Sequence, residues 1–190
     1  MNTVRLITPR RFEDDRGWFS ETWSARTLAA TLDRRIDFVQ DNHSLSRPQW
    51  TLRGIHFQRP PHVQSKLVRC TRGRVFDVVV DLRRNSPTWG RWVGAELSGE
   101  NGRQMFVPGG FGHAFLTLEP DCEVLYKVDD YYAPECDGGI LWNDPTVAVD
   151  WGLPAGVAPV LSSKDTLLPT LADFDSPFEY DGVPLAPLTL

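Results

Sequence analysis

The chain has 190 residues and a formal net charge of −5, from 20 Lys and Arg against 25 Asp and Glu. One domain of ordinary size accounts for that length, and a hydrophobic fraction of 41% with 24% charged residues excludes disorder over most of the chain. The acidic balance argues against a basic nucleic-acid-binding face but not against one anionic ligand, and no apolar run approaches the roughly 18 residues of a membrane span.

The first periodic segment is helical, over residues 24–34. Ala25, Leu28, Ala29 and Leu32 recur at helical spacing behind Ser24, a suitable N-cap. Strands dominate afterwards. Residues 66–72 place Lys66, Val68 and Cys70 on one face. After Gly73, residues 74–82 put Phe76, Val78, Val80 and Leu82 on one face and Val75, Asp77, Val79 and Asp81 on the other. Which of these faces looks inward is open at this point. Residues 91–97 and 103–107 read as strands around a turn at 98–102. Residues 113–118 and 122–128 are two more, divided by Glu119-Pro120-Asp121. Short strands punctuated by turns, in a chain with 15 Gly and 15 Pro, predict an all-β sandwich or barrel. The expectation is one domain over 1–190, with a tail from about residue 176 that is extended, packed on the surface or frayed; it carries Pro177, Pro184 and Pro187.

The three cysteines, Cys70, Cys122 and Cys136, are odd in number and form no CxxC pair, so neither a disulfide framework nor a structural zinc site is indicated. With no apolar signal-peptide core at the N-terminus, a cytoplasmic protein with reduced thiols is expected. The four histidines, His43, His56, His62 and His113, include no HxH or HxxxH pair, which weakens a metal reading. Strand parity points Tyr126 inward with Cys122, Val124 and Val128. It also points Lys66 inward, where an ammonium is costly unless it is paired or lines a polar pocket. Arg16, Arg53, Arg69, Arg72 and Arg74 are scattered cations. No GxxxxGK[ST] or GxGxxG loop is present, so a phosphate ligand would be held by side chains.

Residues 102–113, GRQMFVPGGFGH, fit the second cupin motif through Gly102, Pro108, Gly110 and His113, with Thr117 where Asn is usual. The first cupin motif lacks its HxH. The runs FVQDNHS (38–44), LRGIHFQ (52–58), residues 64–94, VPGGFGHAFL (107–116), LYKVDDYYAPE (125–135), ILWNDP (140–145) and LSSKD (161–165) closely resemble the dTDP-4-dehydrorhamnose 3,5-epimerase family. The resemblance implies a cupin-type jelly-roll barrel with a few short helices. It also implies an enzyme without metal or organic cofactor, which inverts C3 and C5 of dTDP-4-keto-6-deoxy-D-glucose.

Carried residue by residue, the family's base falls on His56, its carboxylate partner on Asp165, its proton-donating tyrosine on Tyr126 and its enolate-stabilising lysine on Lys66. Sugar contacts fall on Arg53 and His113. Nucleotide contacts fall on Arg16, Glu21, Gln40, Asp41, Asn42, Asp137 and Lys164, where the family more often has Glu at 137. His62 takes no role. Phe19, Tyr131 and Tyr132 are candidates to stack on the base. The resemblance further implies a homodimer in which the N-terminal part of one subunit completes the other's site.

The chemistry suits these residue types. Both inverted carbons flank the C4 ketone, so the reaction needs a base on one ring face, a proton donor on the other and a cation at the C4 oxygen. An ordinary histidine is largely neutral at pH 7 and a tyrosine is protonated. The alternatives are an epimerase of one carbon only, a sugar-nucleotide-binding cupin without turnover, and a metal-dependent oxygenase. One conflict arises from the sequence: Arg53 and His56, three apart, point to opposite faces of an ideal strand although both are wanted in one pocket. A bulge at Gly54 would resolve it.

Overall fold

The computed structural model describes residues 3–189. After β1 (Arg5–Ile7) comes a hairpin of β2 (Phe12–Asp14) and β3 (Gly17–Phe19), then α1 (Ala25–Leu32). The remaining strands are β4 (Gln40–Ser46), β5 (Leu52–Gln58), β6 (Lys66–Arg72), β7 (Arg74–Asp81), β8 (Trp92–Ser98), β9 (Gln104–Val107), β10 (Phe111–Thr117), β11 (Cys122–Val128) and β12 (Asp137–Gly139). They form two antiparallel five-stranded sheets, ordered β1-β9-β6-β11-β4 and β12-β5-β10-β7-β8. This is the expected all-β jelly roll. The helix begins where the sequence placed it, with the Ser24 hydroxyl accepting from the Thr27 N–H.

Alternation sorts each strand into layers. Between the sheets lie Val68 and Cys70 of β6, Val75 and Val79 of β7, Met105 and Val107 of β9, and Cys122 and Val124 of β11. The intervening residues are covered too. Leu67 and Phe106 pack under Leu28 and Leu32 of α1. Val78 and Val80, with Ile55, Ala114 and Leu116, pack under the irregular C-terminal segment through Ile140, Trp151, Leu171 and Phe174. Both faces of β7 are therefore buried, which is why its sequence is apolar in both parities. Asp77 points between the sheets, in line with Val75 and Val79.

The irregular segment is held by polar groups as well as apolar ones. Asp144, 1% exposed, accepts from the N–H groups of Thr146 and Val147 through Oδ1 and of Leu171 through Oδ2. This explains the local sequence WNDP: the carboxylate closes a turn and pins a strand of coil 27 residues away.

The tail runs without regular secondary structure, half-buried or exposed over residues 179–189, but its first residues are anchored in the core. Ser176 and Phe178 are buried, and Phe178 meets the Phe57 ring edge-on at 5.5 Å. Arg83, 1% exposed, donates to Asp81 through Nε and Nη2 and to Asp181 through Nη1, at 2.6–2.9 Å. Its guanidinium also lies over Phe111 and Tyr180. Burial alone would raise the Asp81 carboxyl, but hydrogen bonds from Arg83, Ser86 and Thr88 hold it below its ordinary value. The tail thus supplies part of the shell around a buried ion pair, a role that no local periodicity announces. Phe178→Ala is expected to lower stability by about 3 kcal/mol, seen as an earlier midpoint in urea unfolding.

Candidate active site

The inward-facing residues near one end of the two sheets do not meet; they line a cavity of about 340 Å³. Ser44 comes from β4, Arg53 and His56 from β5, Lys66 from β6, His113 and Phe115 from β10, and Tyr126 from β11. Residues 160–162 and Asp165 cover it. That cover is docked by a parallel bridge between Thr51 and Val160, with hydrogen bonds from Leu52 N–H to the Val160 carbonyl and from Val160 N–H to the Trp50 carbonyl. A second lobe of about 340 Å³ shares His56, Lys66 and Tyr126 and continues to Gln40, Asn42, Gln58, Gln64, Tyr132, Asp137 and Lys164.

The conflict over Arg53 and His56 is resolved as the sequence suggested. In the β5–β10 ladder His56 pairs with His113 and Arg53 with Phe115, so three residues of β5 advance against two of β10. The extra residue resets the alternation: Leu52, Ile55 and Phe57 face the outer core while Arg53 and His56 both face the cavity. Gly54 stands at the bulge with φ +130°, where a Cβ would lie 2.4 Å from the Ala114 Cβ and 2.7 Å from the His113 carbonyl oxygen. Only glycine fits there.

His56 and His113, being cross-strand partners, project side by side, and each is backed by a carboxylate. His56 Nε2 is 2.5 Å from Asp165 Oδ1, and Asp165 is 2% exposed. Burial alone would raise the Asp165 carboxyl, yet the hydrogen bonds from His56 and Ser162 hold it below its ordinary value. An ionised Asp165 accepts only, so neutral His56 carries its proton on Nε2 and leaves the Nδ1 lone pair free; Nδ1 has no hydrogen bond within the described residues. His113 Nε2 is 2.8 Å from Oδ2 of the fully buried Asp77.

Lys66 and Tyr126 complete the cavity. Desolvation lowers the Lys66 ammonium to about 8, against the attraction of Asp77 and Asp137. Burial pushes the Tyr126 phenol up, while Arg53 opposes the shift; the phenol stays protonated at neutral pH. A lysine whose proton is loosened by burial and a firmly protonated tyrosine thus share a space with a carboxylate-backed imidazole.

The other expected binding residues divide into two groups. Gln40 and Asn42 face the second lobe and bond to each other at 2.9 Å. Asp137 and Lys164 form an ion pair in that lobe, and the Tyr132 hydroxyl donates to Asp137 at 3.3 Å. Asp41 departs from the expectation. Lying between Gln40 and Asn42 on β4, it falls by alternation on the opposite face and pairs with Lys127 at 2.8 Å. Arg16 and Glu21 are also away from this cavity: Arg16 is bound to Asp14 beside the β2–β3 turn, and Glu21 accepts from the Thr27 hydroxyl at the start of α1. Of the aromatic candidates, Tyr132 lines the second lobe and Phe19 does not. Among the described residues no group of three or more His, Cys, Asp or Glu side chains converges as a metal ion would require.

Several cavity residues were not singled out from the sequence. Ser162 lies two residues from the expected Lys164 and orients Asp165. Gln58 donates to the carbonyls of His62 and Tyr131 and accepts from Ala133 N–H, holding the two loops of the second lobe together. Parity alone left the direction of Asp77 open.

Comparison with known proteins is unambiguous. The model of the dTDP-4-dehydrorhamnose 3,5-epimerase family matches residues 1–173. A dTDP-4-dehydrorhamnose 3,5-epimerase of Pseudomonas aeruginosa is 50% identical over 172 residues, covering 90% of this chain and 93% of its own. One from Salmonella typhimurium is 48% identical over 168 residues, covering 88% and 90%. The crystal structure of a dTDP-6-deoxy-D-glucose-3,5-epimerase from Legionella pneumophila, in complex with dTDP-4-keto-L-rhamnose, superposes with a TM-score of 0.87 at 42% identity and covers 94% of each chain. Gly54→Ala is expected to cost at least about 2 kcal/mol in denaturant unfolding and to reduce turnover more than about tenfold, because it strikes the bulge that brings Arg53 and His56 together.

Proposed function

The chain belongs to the dTDP-4-dehydrorhamnose 3,5-epimerase family, and from that premise we infer that it inverts C3 and C5 of dTDP-4-keto-6-deoxy-D-glucose to give dTDP-4-keto-L-rhamnose. The carrying observation is the buried His56–Asp165 pair opening onto the same cavity as Lys66 and Tyr126.

The steps follow from these groups. His56 Nδ1 takes the proton from the carbon beside the ketone, and the C–H electron pair moves into the ring to leave negative charge on the C4 oxygen. Asp165 stabilises the imidazolium formed. Lys66, while charged, stabilises the enolate by about 3 kcal/mol, the scale of a single oxyanion donor. The Tyr126 hydroxyl gives its proton to the opposite face of the carbon, re-forming the ketone with inverted configuration. The tyrosinate and imidazolium then exchange with solvent, and the cycle repeats at the second carbon. Arg53 and His113 hold the sugar. The polar second lobe, with Gln40, Asn42, Asp137 and Lys164, takes the nucleotide diphosphate, and Tyr132 stacks on the base.

The active unit is a cytoplasmic homodimer of one-domain chains, the tail included. Its support is the β2–β3 hairpin, which carries Phe12, Trp18 and Phe19 at 52%, 55% and 70% exposure. Arg16 and Glu21, beside that hairpin and off their own cavity, serve the partner's site.

Incubation with dTDP-4-keto-6-deoxy-D-glucose in D2O, followed by NMR, is expected to place deuterium at both C3 and C5; label at one carbon would make this an epimerase of a single centre. His56→Ala should abolish exchange at both positions, and near-normal turnover would remove His56 from the base role. Tyr126→Phe should slow product formation far more than it weakens binding. Because the charged form of Lys66 is the useful one, kcat/KM should fall as pH rises through about 8.

A further inference from the structure

Asp77 is the buried titratable group that the steps above leave without a task. It is 0% exposed on β7, inside the barrel between Val75 and Val79, where a valine or leucine would continue the packing. Its Oδ2 lies 2.8 Å from His113 Nε2, while Oδ1 is buried with no hydrogen-bond partner. A carboxylate with one unpaired oxygen in such a place costs stability. Its surroundings are cationic or potentially so. His113 on β10 touches it, and it exerts the leading attraction on Lys66, ahead of Asp137.

We propose that Asp77 is a positioning residue for the epimerisation, which binds His113 in one tautomer and keeps the Lys66 ammonium charged beside it. The proposal rests on the roles given above to Lys66 and His113. A single carboxylate serves both. Its Oδ2 accepts the Nε2–H of His113 and so leaves Nδ1 for the sugar. Its negative charge opposes the desolvation that lowers the Lys66 ammonium. The groups that face Lys66 are Asp77 from β7, Asp137 from β12, and Lys164 from the covering segment, which repels it. His56 and Arg53 of β5, His113 of β10, Tyr126 of β11, and Asp165 of the cover share its cavity. Both carboxylates attract Lys66, Asp77 the more strongly, and Asp137 divides its charge with the Lys164 ammonium.

The test is the pH profile of kcat/KM for the full-length protein. The wild type should show a falling limb near pH 8, and Lys66→Arg, which does not titrate in this range, should abolish it. Asp77→Asn should move that limb down by about one unit, making its loss relative to wild type about five times greater at pH 8 than at pH 6. Its affinity for dTDP should change less than about twofold. Adding Asp77→Asn to Lys66→Arg should restore no limb. A wild-type profile without a limb that Lys66→Arg removes would overturn the Lys66 role and this proposal with it. A limb present but unmoved by Asp77→Asn, with activity lowered equally at every pH, would overturn the proposal alone. Should Asp77→Asn fail to fold, 15N NMR of the wild-type imidazoles decides. Protonation of neutral His113 at Nε2 is expected, and protonation at Nδ1 would refute the assignment.

Discussion

A single extra residue in β5 governs the site. Without the bulge at Gly54, the parity that buries Leu52 in the outer core would send His56 outward with it, away from Asp165, His113 and Lys66. With it, one strand serves two tasks that strict alternation keeps apart. Its apolar residues seal the outer face against the C-terminal segment, and Arg53 and His56 enter the barrel on the same side. The bulge is enforced from the neighbouring strand, since Ala114 and the His113 carbonyl leave no room for a Cβ at position 54. Because β10 also presents His113, the same pair of strands sets both imidazoles at once, as cross-strand neighbours.

The electrostatics follow from placing charge where the sheets part. Burial acts in the direction of neutrality: it lowers the Lys66 ammonium and raises the Tyr126 phenol, and alone it would raise the Asp165 carboxyl. Hydrogen bonds and neighbouring charges decide how far each group yields. Asp165, with His56 and Ser162 on its oxygens, remains ionised. Lys66 has only the attraction of Asp77 and Asp137 to set against its burial and yields to about 8. Tyr126 yields toward the protonated phenol, with Arg53 opposing the shift. The differences in proton affinity that acid–base chemistry needs thus come from different degrees of pairing within one dry space.

Much of this was legible in the residues. The helix, its Ser24 cap, and the segments 66–72 and 122–128 follow from period and turn chemistry, and the inward directions of Lys66 and Tyr126 follow from alternation. The clash between Arg53 and His56 was itself a signal, since two wanted residues at odd spacing with a glycine between them imply a bulge. Three features were hidden for identifiable reasons. β7 is apolar on both faces, so parity could not orient Asp77. Asp41 was carried over with its neighbours although strand alternation separates it from them. The anchoring of the tail that starts near residue 176 shows no periodicity, because it depends on Arg83 and Phe57, far away in the chain. The resemblance supplied the roles; the structure shows which of the residues can reach one another.

The Asp165 carboxylate arrives on a segment with neither strand nor α-helix, and this couples the site to the packing of the C-terminal coil. Asp165 reaches His56 because Val160 is bridged to Thr51 at the start of β5, and because Ser162 bonds the Asp165 carboxylate and backbone N–H. Beyond it, the chain runs on to Leu171, which is pinned to Asp144, and to Phe174 and Phe178, which lie against Phe57 of β5. The strand that carries His56 therefore anchors the coil carrying Asp165 at two places, at its start through backbone bonds and near its end through aromatic rings. Loosening of either contact separates two groups that are 2.5 Å apart. A hydrogen bond so short tolerates little displacement, so the coil's packing holds the imidazole and the carboxylate in register as well as stabilising the fold.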